Sequence, residues 1–400
     1  MINPSAHGWV EKFFFEQSSQ QQFLVHDFES FYIATRKTGF LVGYITHFVS
    51  QKTIDTKGWT SEEFSKIGLL NSLFGMYQLA KKNNDPEKFI QICLAFYEEL
   101  HPKNTRLVDL FSASDSIQNK LEKIISDRVK TNDNIISKNF SHILTNALLF
   151  IDVLAFKRYL QEGKLSAKYV KKIEEIIVSI VSMALKSKEN KTKYDELLQK
   201  LFESSVRYSK FNEAYQDSSI EHLDVSYIKD EYEQYYLIDI AVMALWSDAQ
   251  IDPNEINFLE SIITKIGVTS KFLDASILDM HTFLSTNKAQ IPYFNYSNPV
   301  KHFYDQTTQN VHTLITRNKS RILQEIYQSK ELMQLLIKST ATKLTAAEKK
   351  KVKTQILDIC KTIPSLTIFL VPGGSLLLPI LIKFIPRLLP SAFNENLSED

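Results

Sequence analysis

Apolar residues recur at three- and four-residue intervals along most of the chain, in long stretches with few interruptions. "GWTSEEFSKIGLLNSLFGMYQLAKK" predicts a helix whose start is marked by Thr60 three residues before Glu63, the spacing of a capping box. "NDPEKFIQICLAFYEEL" predicts another, with Asp85 as N-cap and Pro86 at the first helical position. "NFSHILTNALLFIDVLAFKRYLQEG" reads as a buried helix closed by Gly163, because its uncharged run from Ile143 to Ile151 is too short to cross a bilayer. "SAKYVKKIEEIIVSIVSMALKSKEN" has charges flanking an apolar centre from Ile176 to Leu185, a core helix. No alternating strand with a hairpin turn is found, so the predicted fold class is all-α, a multi-helix bundle or array.

Composition supports this picture. Glycine is sparse, 10 in 400 residues, and no proline falls between Pro102 and Pro253. Hydrophobic content of 44% and charged content of 23% describe a globular chain. The 26 phenylalanines and 17 tyrosines recur at helical spacing and read as core. The net charge of +1 gives no global pull toward nucleic acid or anionic membrane, and no DNA partner is expected. Cys93 and Cys360 have no CxxC spacing, which excludes a disulfide framework and a cysteine zinc site and fits a reducing cytoplasm. "MINPSAHGWVEKFFFEQ" has neither a basic start nor a long apolar run, so no cleaved signal peptide is expected.

Polar, aperiodic breaks at 204–224 and 287–303 suggest the organisation. Residues 1–225 form a helical N-terminal domain, 226–335 a second helical module, and 336–400 a terminal segment rich in apolar residues and proline.

The second module holds an acidic helix-turn-helix, "YEQYYLIDIAVMALWSDAQIDPNEINFLESIITKIGVT". Asp248, Asp252 and Glu255 lie within eight residues, and carboxylates so placed suit a divalent cation such as calcium. The EF-hand pattern fails, since the sixth position from Asp248 is Pro253 and the twelfth is Leu259. Asp252, Pro253 and Glu255 suit better the cap, first and third positions of a helix ending at Gly267, with a cation as an addition to that role. The pattern Asp-Ala-x-Ile-Asp-x-x-Glu followed by "FLESIITKIGVTS" resembles the tellurite-resistance TerB-like family, an all-helical module whose acidic positions have been linked to metal ions. Ala249 stands where that family usually has glycine, and the resemblance implies no reaction.

The terminal segment contains five of the eleven prolines and an uncharged run of 20 residues, Ile363 to Ile382, between Lys361 and Lys383. A helix of that length spans about 30 Å, one hydrocarbon core. Pro372-Gly373-Gly374 divides it into arms too short to span alone. It can therefore form one kinked span, a re-entrant hairpin, or a helical hairpin buried in soluble core. Pro372, Pro379 and Pro386, spaced by seven, confine their disruption to one helix face. Lys349, Lys350, Lys351 and Lys353 precede the run, where they read either as a solvated face or as a contact for acidic lipid or RNA. "TAAEKKKVKTQILDICKTIPSLTIFLVPGGSLLLPILIKFIPRLLPSAF" resembles the membrane-proximal segment of the Letm family, the leucine-zipper, EF-hand transmembrane proteins of the mitochondrial inner membrane. The resemblance rests on Val371-Pro372, Leu378-Pro379, Ile385-Pro386 and Leu389-Pro390-Ser391. Gly373-Gly374 depart from it, since the family has bulky residues there. The whole chain is similar to Letm-related, biofilm-associated proteins of flavobacteria, which share its length and "INPS…GW" opening. In the family the large ribosome-binding soluble domain would come after the position of Phe393, and it is expected to be absent here.

Other motifs add little. "VPGGSLLLP" lacks the lysine of a phosphate loop, and the nine histidines form no HExxH pair. Gly39 and Gly43 make a GxxxG read as close helix packing. The expected function is non-enzymatic: interaction or envelope homeostasis at the cytoplasmic face of the bacterial inner membrane, with lipid and a protein partner or a second copy of the chain. The alternatives are an oligomeric cation- or proton-handling membrane protein, a ribosome-associated factor, and a wholly soluble, cytoplasmic scaffold.

Overall fold

The structure, a computed structural model, describes residues 2–17, 26–50, 53–100, 115–129, 147–188, 219–245, 251–287, 312–342, 344–363 and 366. Every regular element among them is helical, and the fold is all-α. The chain divides into two compact units. The first comprises Met1–Thr56, Ser61–Thr131 and Phe140–Ser297; the second comprises Lys57–Thr60, Asn132–Asn139 and Asn298–Asp400.

The first unit contains α1 (Trp9–Gln17), α2 (Phe28–Lys37), a 3₁₀ turn (Phe40–Val42), α3 (Ser61–Lys81), α4 (Pro86–Leu100) and α5 (Ile117–Val129). It continues with α6 (Phe150–Glu162), α7 (Ala167–Ser187), a second 3₁₀ turn (Ile220–His222), α8 (Glu231–Leu245), α9 (Pro253–Ile266) and α10 (Ser270–Asn287). The local signals act as their chemistry requires. Asp85 accepts from the backbone N–H of Glu87 at 3.0 Å and of Lys88 at 3.2 Å, which starts α4. Gly163 closes α6 with φ 73°, donating its N–H to the Tyr159 carbonyl. The apolar centre of α7 is buried throughout, and α7 packs on α8.

Edge-to-face aromatic contacts tie the core together: Phe14 on Phe74 at 5.0 Å, Phe74 on Phe89 at 5.2 Å, and Phe89 on Phe156 at 6.2 Å. The boundary expected at 225 falls inside this unit. Past it, α8 and α9 pack on α7, and the buried Tyr236 donates to the Ala147 carbonyl at 2.7 Å.

Gly39 and Gly43 serve a different purpose from the helix packing expected of them. They bracket the first 3₁₀ turn with φ of 84° and 75°, the left-handed conformation that glycine adopts without strain. The Phe283 ring closes over Gly39 so tightly that a Cβ there would lie 2.3 Å from it.

The second unit contains α11 (Lys319–Gln328), α12 (Lys330–Ala341) and α13 (Ala346–Thr362). Each of these helices packs on the other two. Ile322, Ile326, Leu332, Leu336, Val352 and Ile356 form the centre of their shared core.

Candidate functional site

The acidic turn acts at a helix terminus. Asp252 accepts from the N–H of Asn254 at 2.8 Å and of Glu255 at 2.9 Å, and Glu255 reaches back to accept from the N–H of Asp252 at 2.8 Å. The capping box opening α9 is therefore complete, with Pro253 in its first turn. Glu255 is buried and also lies 3.6 Å from the buried Lys188 ammonium. Asp248 lies outside the described residues. Among the described residues no three His, Cys, Asp or Glu side chains gather to hold a metal ion.

The basic helix is α13. A second capping box starts it: Thr345 accepts from the Glu348 N–H at 3.3 Å, and Glu348 accepts from the Thr345 N–H at 2.8 Å. The Lys338 ammonium, 2.6 Å away, and then the Thr345 N–H and hydroxyl hold the Glu348 carboxyl down at about 2. Val352, Ile356, Ile359 and Cys360 turn into the core, and burial pushes the Cys360 thiol up to about 12. The four lysines then differ. Lys351 donates to Glu331 at 2.6 Å, and Glu331 also accepts from Gln355 at 2.7 Å, which ties α13 to α12. Lys349, Lys350 and Lys353 are exposed, and no described carboxylate pairs with them.

Ile363 and Leu366, at the start of the uncharged run, are 2% and 1% exposed and complete the core of the second unit. Val371, Pro372, Gly373, Gly374, Leu378, Pro379, Pro386, Leu389, Pro390 and Ser391 lie outside the described residues. Among the described residues no helix is long and apolar enough to cross a membrane.

The overall charge conceals a local one. Across 312–342 and 344–363 there are ten Lys and Arg against four Asp and Glu, an excess of six in a chain whose total is +1. The net charge of +1 thus describes the whole chain and not this stretch of it.

Sequence reasoning missed two buried polar clusters in the first unit. Arg128 grips Asp152, which also accepts from the Tyr97 hydroxyl at 3.1 Å. Asp239 accepts from the Tyr32 hydroxyl at 2.5 Å, from Ser276, and from Arg36 at 3.4 Å, while Arg36 also donates to Asp279 at 2.5 Å. Burial raises the pKa of Asp239, opposed by the Arg36 charge and by these donors. Each cluster left a trace in the sequence: a lone aspartate inside an apolar helix, in "FIDVLAF" and "LIDIAVM". A 190 Å³ cleft beside α6 is lined by Lys157, Arg158, Asp230 and Glu233. Lys157 pairs with Asp230, and Arg158 with Glu162 at 2.9 Å and Glu233 at 3.7 Å, while Lys229 also lines the cleft.

The comparison that bears on α13 is with a protein family. Residues 344–400 match the family described as LETM1-like, RBD. This supports a Letm-related segment at the end of the chain. It also corrects the expectation that the RBD part would follow Phe393, because the matching stretch begins at Leu344, just before α13. No curated protein and no solved structure matches the chain.

Proposed function

We propose that the protein is a non-enzymatic, Letm-related protein that works at the cytoplasmic face of the bacterial inner membrane, in interaction or envelope homeostasis. The observation that carries this reading is the match of 344–400, in which exposed lysines on α13 immediately precede the uncharged run. Cations beside an apolar segment suit a bilayer interface, the lysines at headgroup level and the apolar residues below. The TerB-like and biofilm-associated resemblances extend the proposal: a helical interaction module in the envelope, with a cation at Asp248, Asp252 and Glu255 as an addition to their capping role. Cell fractionation tests the core of the reading. The full chain should sediment with inner membrane and need detergent for release. A chain ending at Leu366 keeps the described core and should become soluble. Equal solubility of the two without detergent overturns the membrane reading.

The burial of Ile363 and Leu366 favours a second reading, a soluble scaffold in which the run continues as core. Equal solubility is the result that reading requires.

A further inference from the structure

We propose that Lys349, Lys350 and Lys353 form a recognition flank for anionic phospholipid headgroups, so that lipid charge, beyond apolar insertion, directs where the chain binds. This rests on the membrane reading above.

The lysines of the second unit are sorted by partner. Glu331 takes Lys351, Glu348 takes Lys338 and Asp358 takes Lys361, each at 2.6 Å. Lys319, Lys330, Lys349, Lys350 and Lys353 have no described carboxylate partner, and the last three are neighbours on α13. Lys349 and Lys353 stand four residues apart on α13, and Lys350 and Lys353 three, the spacings at which helix side chains meet and like charges repel. The helix cannot rotate to relieve them. Val352, Ile356 and Cys360 lock one face into the core, and the Thr345–Glu348 box fixes the first turn. Three cations with no described counter-charge, on about one turn of a fixed helix, suit a surface carrying several negative charges.

The adjoining apolar run favours a lipid surface over other polyanions. In the sequence the lysines stand ahead of that run, most of which follows the buried Ile363 and Leu366. Charged and apolar stretches therefore adjoin one another along the chain.

Co-sedimentation of the full chain with phosphatidylcholine vesicles, with and without phosphatidylglycerol, tests this at low and high salt. The variant K349Q/K350Q/K353Q removes the flank, and glutamine keeps helix propensity. The variant K319Q/R321Q/K330Q removes the same charge elsewhere in the unit. Circular dichroism confirms that both are folded. The wild type should prefer the anionic vesicles, and the first variant should lose on the order of a hundredfold in partition at low salt, with little change on neutral vesicles. High salt should erase the difference. The second variant should stay within a few-fold of wild type.

Equal binding of wild type to both vesicle types, or equal loss in both variants, overturns the proposal while leaving membrane association standing. No binding of wild type to any vesicle overturns the membrane reading too. A flank variant that loses affinity for RNA but not for vesicles assigns the lysines to nucleic acid and overturns the lipid proposal.

Discussion

Arg128 on α5 holds Asp152 on α6 by two parallel hydrogen bonds, its Nε and Nη2 each donating at 2.7 Å to a different carboxylate oxygen. Both side chains are buried, Asp152 completely. Removing one partner strands the other charge in the core. Arg128→Leu should therefore destabilise the first unit by about 3–5 kcal/mol. The double change Arg128→Leu with Asp152→Leu removes both charges and should cost less than the single one. Chemical denaturation of the three proteins checks the order, and a double variant weaker than the single one would show that the pair is needed for more than mutual neutralisation.

The start of α13 should respond to acid. Glu348 has a folded-state pKa of about 2, below its ordinary 4.5, because Lys338 and the Thr345 donors favour the carboxylate. A depressed acid binds fewer protons folded than unfolded. Its stabilising contribution is thus complete above pH 4.5 and lost as pH falls toward about 2. Amide exchange in the first turn of α13 should quicken over that interval. Glu348→Gln should quicken it already at neutral pH and remove the acid dependence.

Two glycines with the same backbone sign should respond differently to one methyl group. Gly163 has φ 73°, and a Cβ added there would meet nothing within 4 Å, so Gly163→Ala should cost only the left-handed backbone, about 1–2 kcal/mol. Gly39 has φ 84°, and an added Cβ would lie 2.1 Å from the Tyr44 carbonyl oxygen and 2.3 Å from the Phe283 ring. Gly39→Ala adds overpacking of about 1–3 kcal/mol to the same backbone term. Thermal unfolding should rank Gly39→Ala well below Gly163→Ala, and equal losses would mean that α10 yields freely to the methyl group.

What could be read from the chain depended on the distance over which each feature is decided. The helices and the starts of α4 and α9 follow from neighbours within four residues, so Asp85 with Pro86 and Asp252 with Glu255 were legible. The spacing of Gly39 and Gly43 was visible, but a four-residue interval suits packed helices and a bracketed 3₁₀ turn alike, and only the backbone sign separates them. The lysine run of α13 was equally plain. Which of its members meet a described carboxylate was not, because Glu331 and Lys338 belong to another helix. Asp239 meets Tyr32 across 207 residues, and periodicity within one segment contains no information about such a partner.

Asp252 separates capping from cation binding, because the two roles require different atoms. A cap requires one side-chain oxygen accepting from the N–H groups of Asn254 and Glu255, which asparagine also supplies. A calcium ligand draws on the negative charge, which asparagine lacks. Asp252→Asn should therefore leave thermal stability almost unchanged in the absence of calcium, and Asp252→Ala should lower it by about 1 kcal/mol. The same melts repeated with calcium read the second role independently. A ligand that binds only the folded state raises the melting temperature, increasingly as its concentration exceeds its dissociation constant. Capping alone produces no calcium-dependent rise in wild type. A rise present in wild type and abolished by Asp252→Asn would assign the carboxylate a cation in addition to its helix.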